Sequence, residues 1–183
     1  IPELIRQLQE KGMLMDDAIK VVSKVCAYTN HTIMAEALEK WDIDSIGKII
    51  PQIVPIIEIL DNKVRRKFND PSLYIIDEKN NVHMAKMDIH CSFSINGVAK
   101  LHTEILKNSE LKNFYDIYPD KFNNKTNGIT FRRWLIHSNP RLTKFITSLI
   151  GDDFTRDAEN LKKLLEFKNE TKAQKEKTDE ASL

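Results

Sequence analysis

Apolar residues recur at three- and four-residue steps through most of this chain, and that helical period breaks in few places. Ile1, Leu4, Ile5 and Leu8 share a face between Pro2, welcome as a first helical residue, and Gly12, suited to end a helix. Asp16 is positioned to cap a second helix whose buried stripe is Ala18, Val21, Val22, Val25 and Cys26. A third is expected after the polar residues 28–32, with Ile33, Met34, Ala37, Leu38 and Trp41 as its apolar face. Asp44 reads as the cap of the next, which Pro51 interrupts. The run Ile53, Ile56, Ile57, Leu60, Val64 and Phe68 keeps helical spacing, and Pro55 kinks it or moves its start downstream.

Around Asp70-Pro71 the period changes. Residues 73–76 and 82–84, separated by Asp77-Glu78-Lys79-Asn80-Asn81, read as a β-hairpin. Helical spacing resumes near Ala85, breaks at Asn96-Gly97, and returns through Leu101, Ile105 and Leu106, then Leu111, Phe114, Tyr115 and Tyr118. Asn139-Pro140 opens the best-punctuated helix, which carries Leu142, Phe145, Ile146, Leu149 and Ile150 to a terminating Gly151. A last helix is expected on Ala158, Leu161, Leu164 and Leu165. Residues 168–183 form a polar tail expected to fray. The fold class read from this pattern is mostly α, with a small β-hairpin and short strands.

Composition narrows the partners more than the fold. The 183 residues are 41% hydrophobic and 30% charged, and the formal charge of +1 provides no global field for nucleic acid or an acidic membrane. Arg132-Arg133-Trp134 is too short for a nucleic-acid contact, and an arginine beside an aromatic is more often a packed, partly buried strut. The apolar stretch 49–60 is too short for a membrane span and contains Pro51, Pro55 and Glu58. Cys26 and Cys91 form no CxxC spacing and read as reduced thiols of an intracellular, cytoplasmic protein. His83 and His90 near Cys91 lack a fourth ligand at zinc-like spacing, so no metal is expected. Ile1-Pro2-Glu3 does not look like a natural translation start, which suggests a piece of a longer protein; a processed terminus would look the same.

Three polar clusters interrupt the helices: residues 28–32, 94–99 and 123–134. Asparagine, threonine and neutral histidine donate and accept hydrogen bonds at once, as suits the hydroxyls of a neutral sugar. Ordinary caps and turns account for the same residues, with Thr32 capping a helix and Asn96-Gly97 and Asn127-Gly128 turning the chain. No HExxH, G-x-S-x-G or glycine-rich phosphate loop is present.

The strings AYTNHT…EALEKW (27–41), INGVAKLHTEIL (95–106) and KFNNKTNGITFRRWL (121–135) resemble, in order and spacing, the α-glucan phosphorylases that act on glycogen, starch and maltodextrin. The resemblance extends more weakly from Ile1 to about Leu165 and leans toward a bacterial enzyme. It implies a central slice of a two-Rossmann-domain α/β glycosyltransferase-type fold. Residues 1–127 would be the later part of its N-terminal domain and residues 128–167 the opening of the C-terminal one. The implied reaction is transfer of the terminal α-1,4-linked glucose to inorganic phosphate, giving glucose 1-phosphate with retained configuration. It uses pyridoxal phosphate, in a parent expected to be a homodimer.

Residue by residue, the resemblance makes His31 the histidine that hydrogen-bonds the glucosyl unit, and Asn127 the asparagine contacting the same sugar. Asn30 and Thr32 join the substrate-binding set mainly by fixing the backbone of His31. Val98 and Ala99 would form a wall near the cofactor, and Trp134 would stand beside it. Ala35, Phe93 and Phe131 depart from common family residues, and none touches His31 or Asn127. The lysine that holds the cofactor has no match in this chain, so the piece alone is expected to bind no cofactor and to be inactive. Its apolar helix faces near residues 1–26 or 140–165 are expected to self-associate. The alternative is a helical binding or structural module with no catalytic role.

Overall fold

A computed structural model describes residues 1–34 and 38–168, and the chain divides into two compact units, Ile1–Asn127 and Gly128–Leu183. In the first unit, α1 (Pro2–Glu10) and α2 (Met15–Val25) pack on each other through Ile5, Ala18 and Val22. Gly12 between them takes a φ of 89°, a left-handed conformation that glycine adopts without steric cost. The second helix starts one residue before the expected cap, with Leu14 at N-cap and Asp16 and Asp17 in the first turn. Asp16 instead pairs with Lys63 at 2.7 Å.

The strand β1 (Ala27–Thr29) leads into residues 30–34, which have no regular structure. The expected third helix is not seen there. Its Ala37 lies outside the described residues, and its Trp41 sits in strand β2 (Lys40–Asp42), half exposed. Helix α3 (Ile43–Ile49) is capped by Asp42, not Asp44, because the Ser45 amide and hydroxyl both donate to the Asp42 carboxylate, at 2.8 and 2.9 Å. After a 3-10 turn at Pro51–Ile53, α4 (Val54–Lys67) begins with Pro55 in its first turn, so the proline starts the helix downstream without kinking it.

The expected hairpin is replaced by a different pairing. Strand β3 (Asn81–His83) runs antiparallel to β2, and only an isolated bridge joins Ile76 to Val82. The amides of Ile75 and Ile76 donate to the Asp61 carboxylate of α4 at 2.9 and 3.0 Å. Arg65 holds that carboxylate at 2.5 Å and reaches the Ile76 carbonyl at 2.6 Å. The Ile75 and Ile76 amides are thus spent on a helix side chain, and what remains of the hairpin is the Ile76–Val82 bridge and the His83 amide donating to the Ile75 carbonyl at 2.8 Å.

Helix α5 (Met84–Cys91) is followed by β4 (Ser94–Gly97), α6 (Lys100–Ile105), a π-helical turn at Leu106–Glu110, α7 (Lys112–Ile117) and β5 (Phe122–Asn124). Strands β1, β4 and β5 make a parallel sheet in that spatial order, with Tyr28 opposite Ile95 and Ile95 opposite Phe122. Asn96 and Gly97 therefore belong to the central strand and do not turn the chain. The core lies in two clusters, one around Ile5, Val22, Ile57 and Leu60, the other around Ile89, Ile95, Leu106 and Phe114.

In the second unit, residues 128–130 lead to a π-helical turn, Arg132–His137, and then to α8 (Pro140–Ile150). The Asn139 side chain accepts from the Leu142 amide at 3.1 Å, and Gly151 closes the helix at a φ of 79°. The expected last helix is 3-10 over Ala158–Phe167. Most of the predicted polar tail, residues 169–183, lies outside the described residues.

Candidate functional site

The three polar clusters that interrupt the helical pattern contain the three strands of the parallel sheet and the segments that leave their carboxyl ends. In open α/β sheets that edge is where ligands are taken up. The strands are short, but their exits are tied by polar side chains. The Thr29 hydroxyl donates to the Asn96 side chain at 3.0 Å, and the Asn30 amide to the Asn96 carbonyl at 2.9 Å. Asn123 donates to the Ser94 hydroxyl at 2.8 Å, and the Lys125 amide to the Gly97 carbonyl at 3.1 Å.

Around His31 the chain is fixed on both sides. Asn30 is 2% exposed; its side-chain oxygen accepts from the Thr32 amide at 2.9 Å and its amide donates to the Tyr28 hydroxyl at 3.1 Å. Both ends of the buried Asn30 side chain are thus engaged in holding the loop. The Thr32 hydroxyl accepts from the Met34 amide at 3.0 Å, a local turn in place of the expected helix cap. His31 itself is exposed, and among the described residues its ring hydrogen-bonds nothing, which leaves both nitrogens for a ligand. A cavity of about 270 Å3 opens beside this loop, lined by Tyr28, Asn30, His31, Thr32, Glu39 and Asp88. Burial pushes up both the Asp88 carboxyl and the Tyr28 hydroxyl, so each holds its proton to higher pH than in water.

Asn127 joins the same unit through its backbone, its amide donating to the Val98 carbonyl at 2.9 Å, while its side chain stays exposed and uncommitted among the described residues. Val98 and Ala99 are half-buried, with backbone groups largely used: the Val98 amide donates to His102 at 3.1 Å, and the Ala99 carbonyl accepts from the Thr103 amide at 2.9 Å. Trp134 belongs to the other unit. It is 64% exposed, with the Arg133 guanidinium 5.1 Å from its ring centre, so this arginine is a solvent-facing stacking partner and not the buried strut expected.

Other residues with chemical potential are already engaged. The His83 ring sits 3.0 Å from the Asp77 carboxylate, and the His90 ring lies between the Tyr118 hydroxyl at 3.0 Å and the Leu73 carbonyl at 2.9 Å. Burial drives His90 down to about 4, so the ring is neutral, accepting from Tyr118 and donating to Leu73. Burial likewise pushes Cys91 up to about 11, an inert thiol packed in the first core cluster. Among the described residues no helix is long and apolar enough to cross a membrane.

Two residues that matter to this edge escaped sequence reasoning. Gly97 ends β4 with the backbone of Thr103 pressed against it, and His102 bridges two strand exits. Their one signal was adjacency inside the string INGVAKLH; no periodicity or spacing rule marks a histidine that folds back over the strand before its own helix.

The parallel-sheet edge thus presents the exposed, unengaged imidazole of His31 beside a cavity and, at another strand exit, the exposed carboxamide of Asn127. The chain belongs to the carbohydrate phosphorylases, whose family model matches residues 1–181. It is 58% identical over 169 residues to the maltodextrin phosphorylase of Streptococcus pneumoniae, an alignment that takes in 92% of this chain and 22% of that protein. It is 41% identical over 179 residues to the muscle glycogen phosphorylase of Homo sapiens, covering 91% of this chain and 21% of the relative. The chain thus spans about a fifth of the length of the relatives it matches.

Proposed function

We propose that this chain is the sugar-contact portion of a cytoplasmic α-glucan phosphorylase, a glycosyltransferase that moves the terminal α-1,4-linked glucose of glycogen or maltodextrin onto inorganic phosphate. Family membership supports the reaction class, and the higher identity to a maltodextrin phosphorylase favours short glucans as substrate. The observation that carries the site reading is the contrast at the sheet edge. Asn30, Thr32 and Val98 spend their polar groups on one another and on neighbouring loops, whereas His31 and Asn127 keep theirs free and exposed.

In this reading His31 offers an imidazole donor and acceptor to one sugar hydroxyl, and Asn127 offers a carboxamide to the same sugar. Both act by holding the glucosyl unit while its bond to the leaving glucan breaks, which stabilises the transition state through position and hydrogen bonding. Pyridoxal phosphate, when bound, supplies a phosphate group that exchanges a proton with the substrate phosphate. In this reading the half-buried Val98 and Ala99 stand near that group, and Trp134 offers it a flat apolar face. None of these can anchor the group covalently, so the isolated chain is inactive. Residues 1–127 belong in this reading to the N-terminal domain, and the following residues open the C-terminal one, in a homodimeric enzyme. Exposed apolar residues such as Leu14, Val25 and Leu165 drive self-association of the isolated piece.

The test is His31→Ala in the full-length enzyme that carries this segment. Loss of a hydrogen bond realised in the transition state lowers kcat/KM for phosphorolysis by about tenfold or more. Unchanged turnover refutes the assignment.

A further inference from the structure

His102 stands in the first turn of α6, half-buried, and each of its ring nitrogens faces a different strand exit. The Val98 amide donates to Nδ1 at 3.1 Å, so Nδ1 is the bare nitrogen. In the neutral ring the proton is then on Nε2, which lies 3.3 Å from the Thr32 carbonyl and donates to it. The imidazole therefore straps the exit of β1 to the exit of β4.

The strap acts on the residues next to the free side chains. Thr32 follows His31 directly; its amide is held by the buried Asn30 side chain, and its carbonyl by His102. On the other side Val98 is held through its amide by His102, and its carbonyl takes the Asn127 amide at 2.9 Å. One ring thus sits midway in a hydrogen-bonded path from the backbone beside His31 to the backbone of Asn127. We propose that His102 is a positioning residue for phosphorolysis, fixing the separation between the two sugar-facing arms. The proposal rests on the sugar-site reading above.

Substitutions separate the two ends of the strap. In His102→Gln the carboxamide nitrogen stands at the same chain length as Nε2 and can donate to Thr32. In His102→Asn the oxygen stands at the level of Nδ1 and can serve only Val98. His102→Ala serves neither. In the full-length enzyme, kcat/KM for phosphorolysis falls about three- to tenfold in His102→Ala. Most of the loss is in kcat, because a misplaced His31 forfeits a transition-state contact. His102→Gln recovers most of it and His102→Asn little. Because His102 acts in part through His31, the double variant His31→Ala/His102→Ala loses less than the product of the two single losses.

Equal recovery by Gln and Asn, or losses in the double variant that simply multiply, overturns the proposal. So does a fall in activity that follows thermal stability alone in all three variants. If His31→Ala is crippled while every His102 variant is normal, the strap falls and the sugar site stands. If His31→Ala turns over normally, both fall.

Discussion

Gly97→Ala tests the close packing that brings α6 over the sheet edge. A Cβ on Gly97 would lie 2.5 Å from the Thr103 hydroxyl oxygen and 3.0 Å from both the Cα and the amide nitrogen of Thr103, where ordinary contact begins at 3.4 Å. The hydroxyl could rotate away only by leaving the Ala99 carbonyl at 2.9 Å and the Asn124 side chain at 3.0 Å. The two backbone atoms cannot rotate, so α6 must lift by several tenths of an ångström. Overpacking of a tight contact costs about 1–3 kcal/mol, and a hydrogen bond lost at a 2%-exposed threonine adds about 1 kcal/mol. The sum is about 2–4 kcal/mol. In the full-length enzyme the variant should unfold at lower denaturant in the transition that includes this segment. It should also lose kcat/KM, because His102 precedes Thr103 on the displaced helix. Gly97→Ala/Thr103→Ala relieves the 2.5 Å contact but not the backbone ones, so it recovers only part. A variant with wild-type unfolding and turnover, or full recovery in the double variant, refutes the reasoning.

Two further predictions concern the frame. His90 has its ring lowered to about 4 by burial, against an ordinary 6.5, so the unfolded chain binds a proton that the folded one refuses. Stability present above pH 6.5 is lost as pH falls toward 4, by about 3 kcal/mol in full, and a denaturation midpoint followed across that window should show it. An acid slope that persists in His90→Leu would assign the effect to another group. Asp61→Ala orphans the Ile75 and Ile76 amides and frees Arg65 from its clamp, for a loss of about 3 kcal/mol or more. Asp61→Asn should recover part of that; equal stability of all three proteins in denaturant would show that the clamp contributes nothing.

Where punctuation and periodicity agreed, the fold was legible: Pro2 to Gly12 and Asn139-Pro140 to Gly151 bound helices as read. The strands were not. Each strand of the parallel sheet is three or four residues long, too short for a period of two to declare itself, and AYT, SING and FNN together hold more polar than apolar residues. The hairpin misled because Leu73 to Ile76 has strand composition but its amides found Asp61, a partner that no local rule supplies. The polar clusters were visible as clusters. That they are neighbours depends on pairing residue 27 with 94 and 95 with 122, contacts that lie between segments and not within them. His102 was visible only as one histidine of five.

The central position of β4 has a kinetic meaning. β1 waits 67 residues for its partner, and β4 then waits 27 more for β5, while α1, α2 and α4 can form from contacts nearby in sequence. Closing such loops costs entropy that is repaid only when the strands pair. The sheet edge therefore matures after the helices that support it. In a nascent chain, the ordering of these loops would report that β5 has docked and this unit is complete.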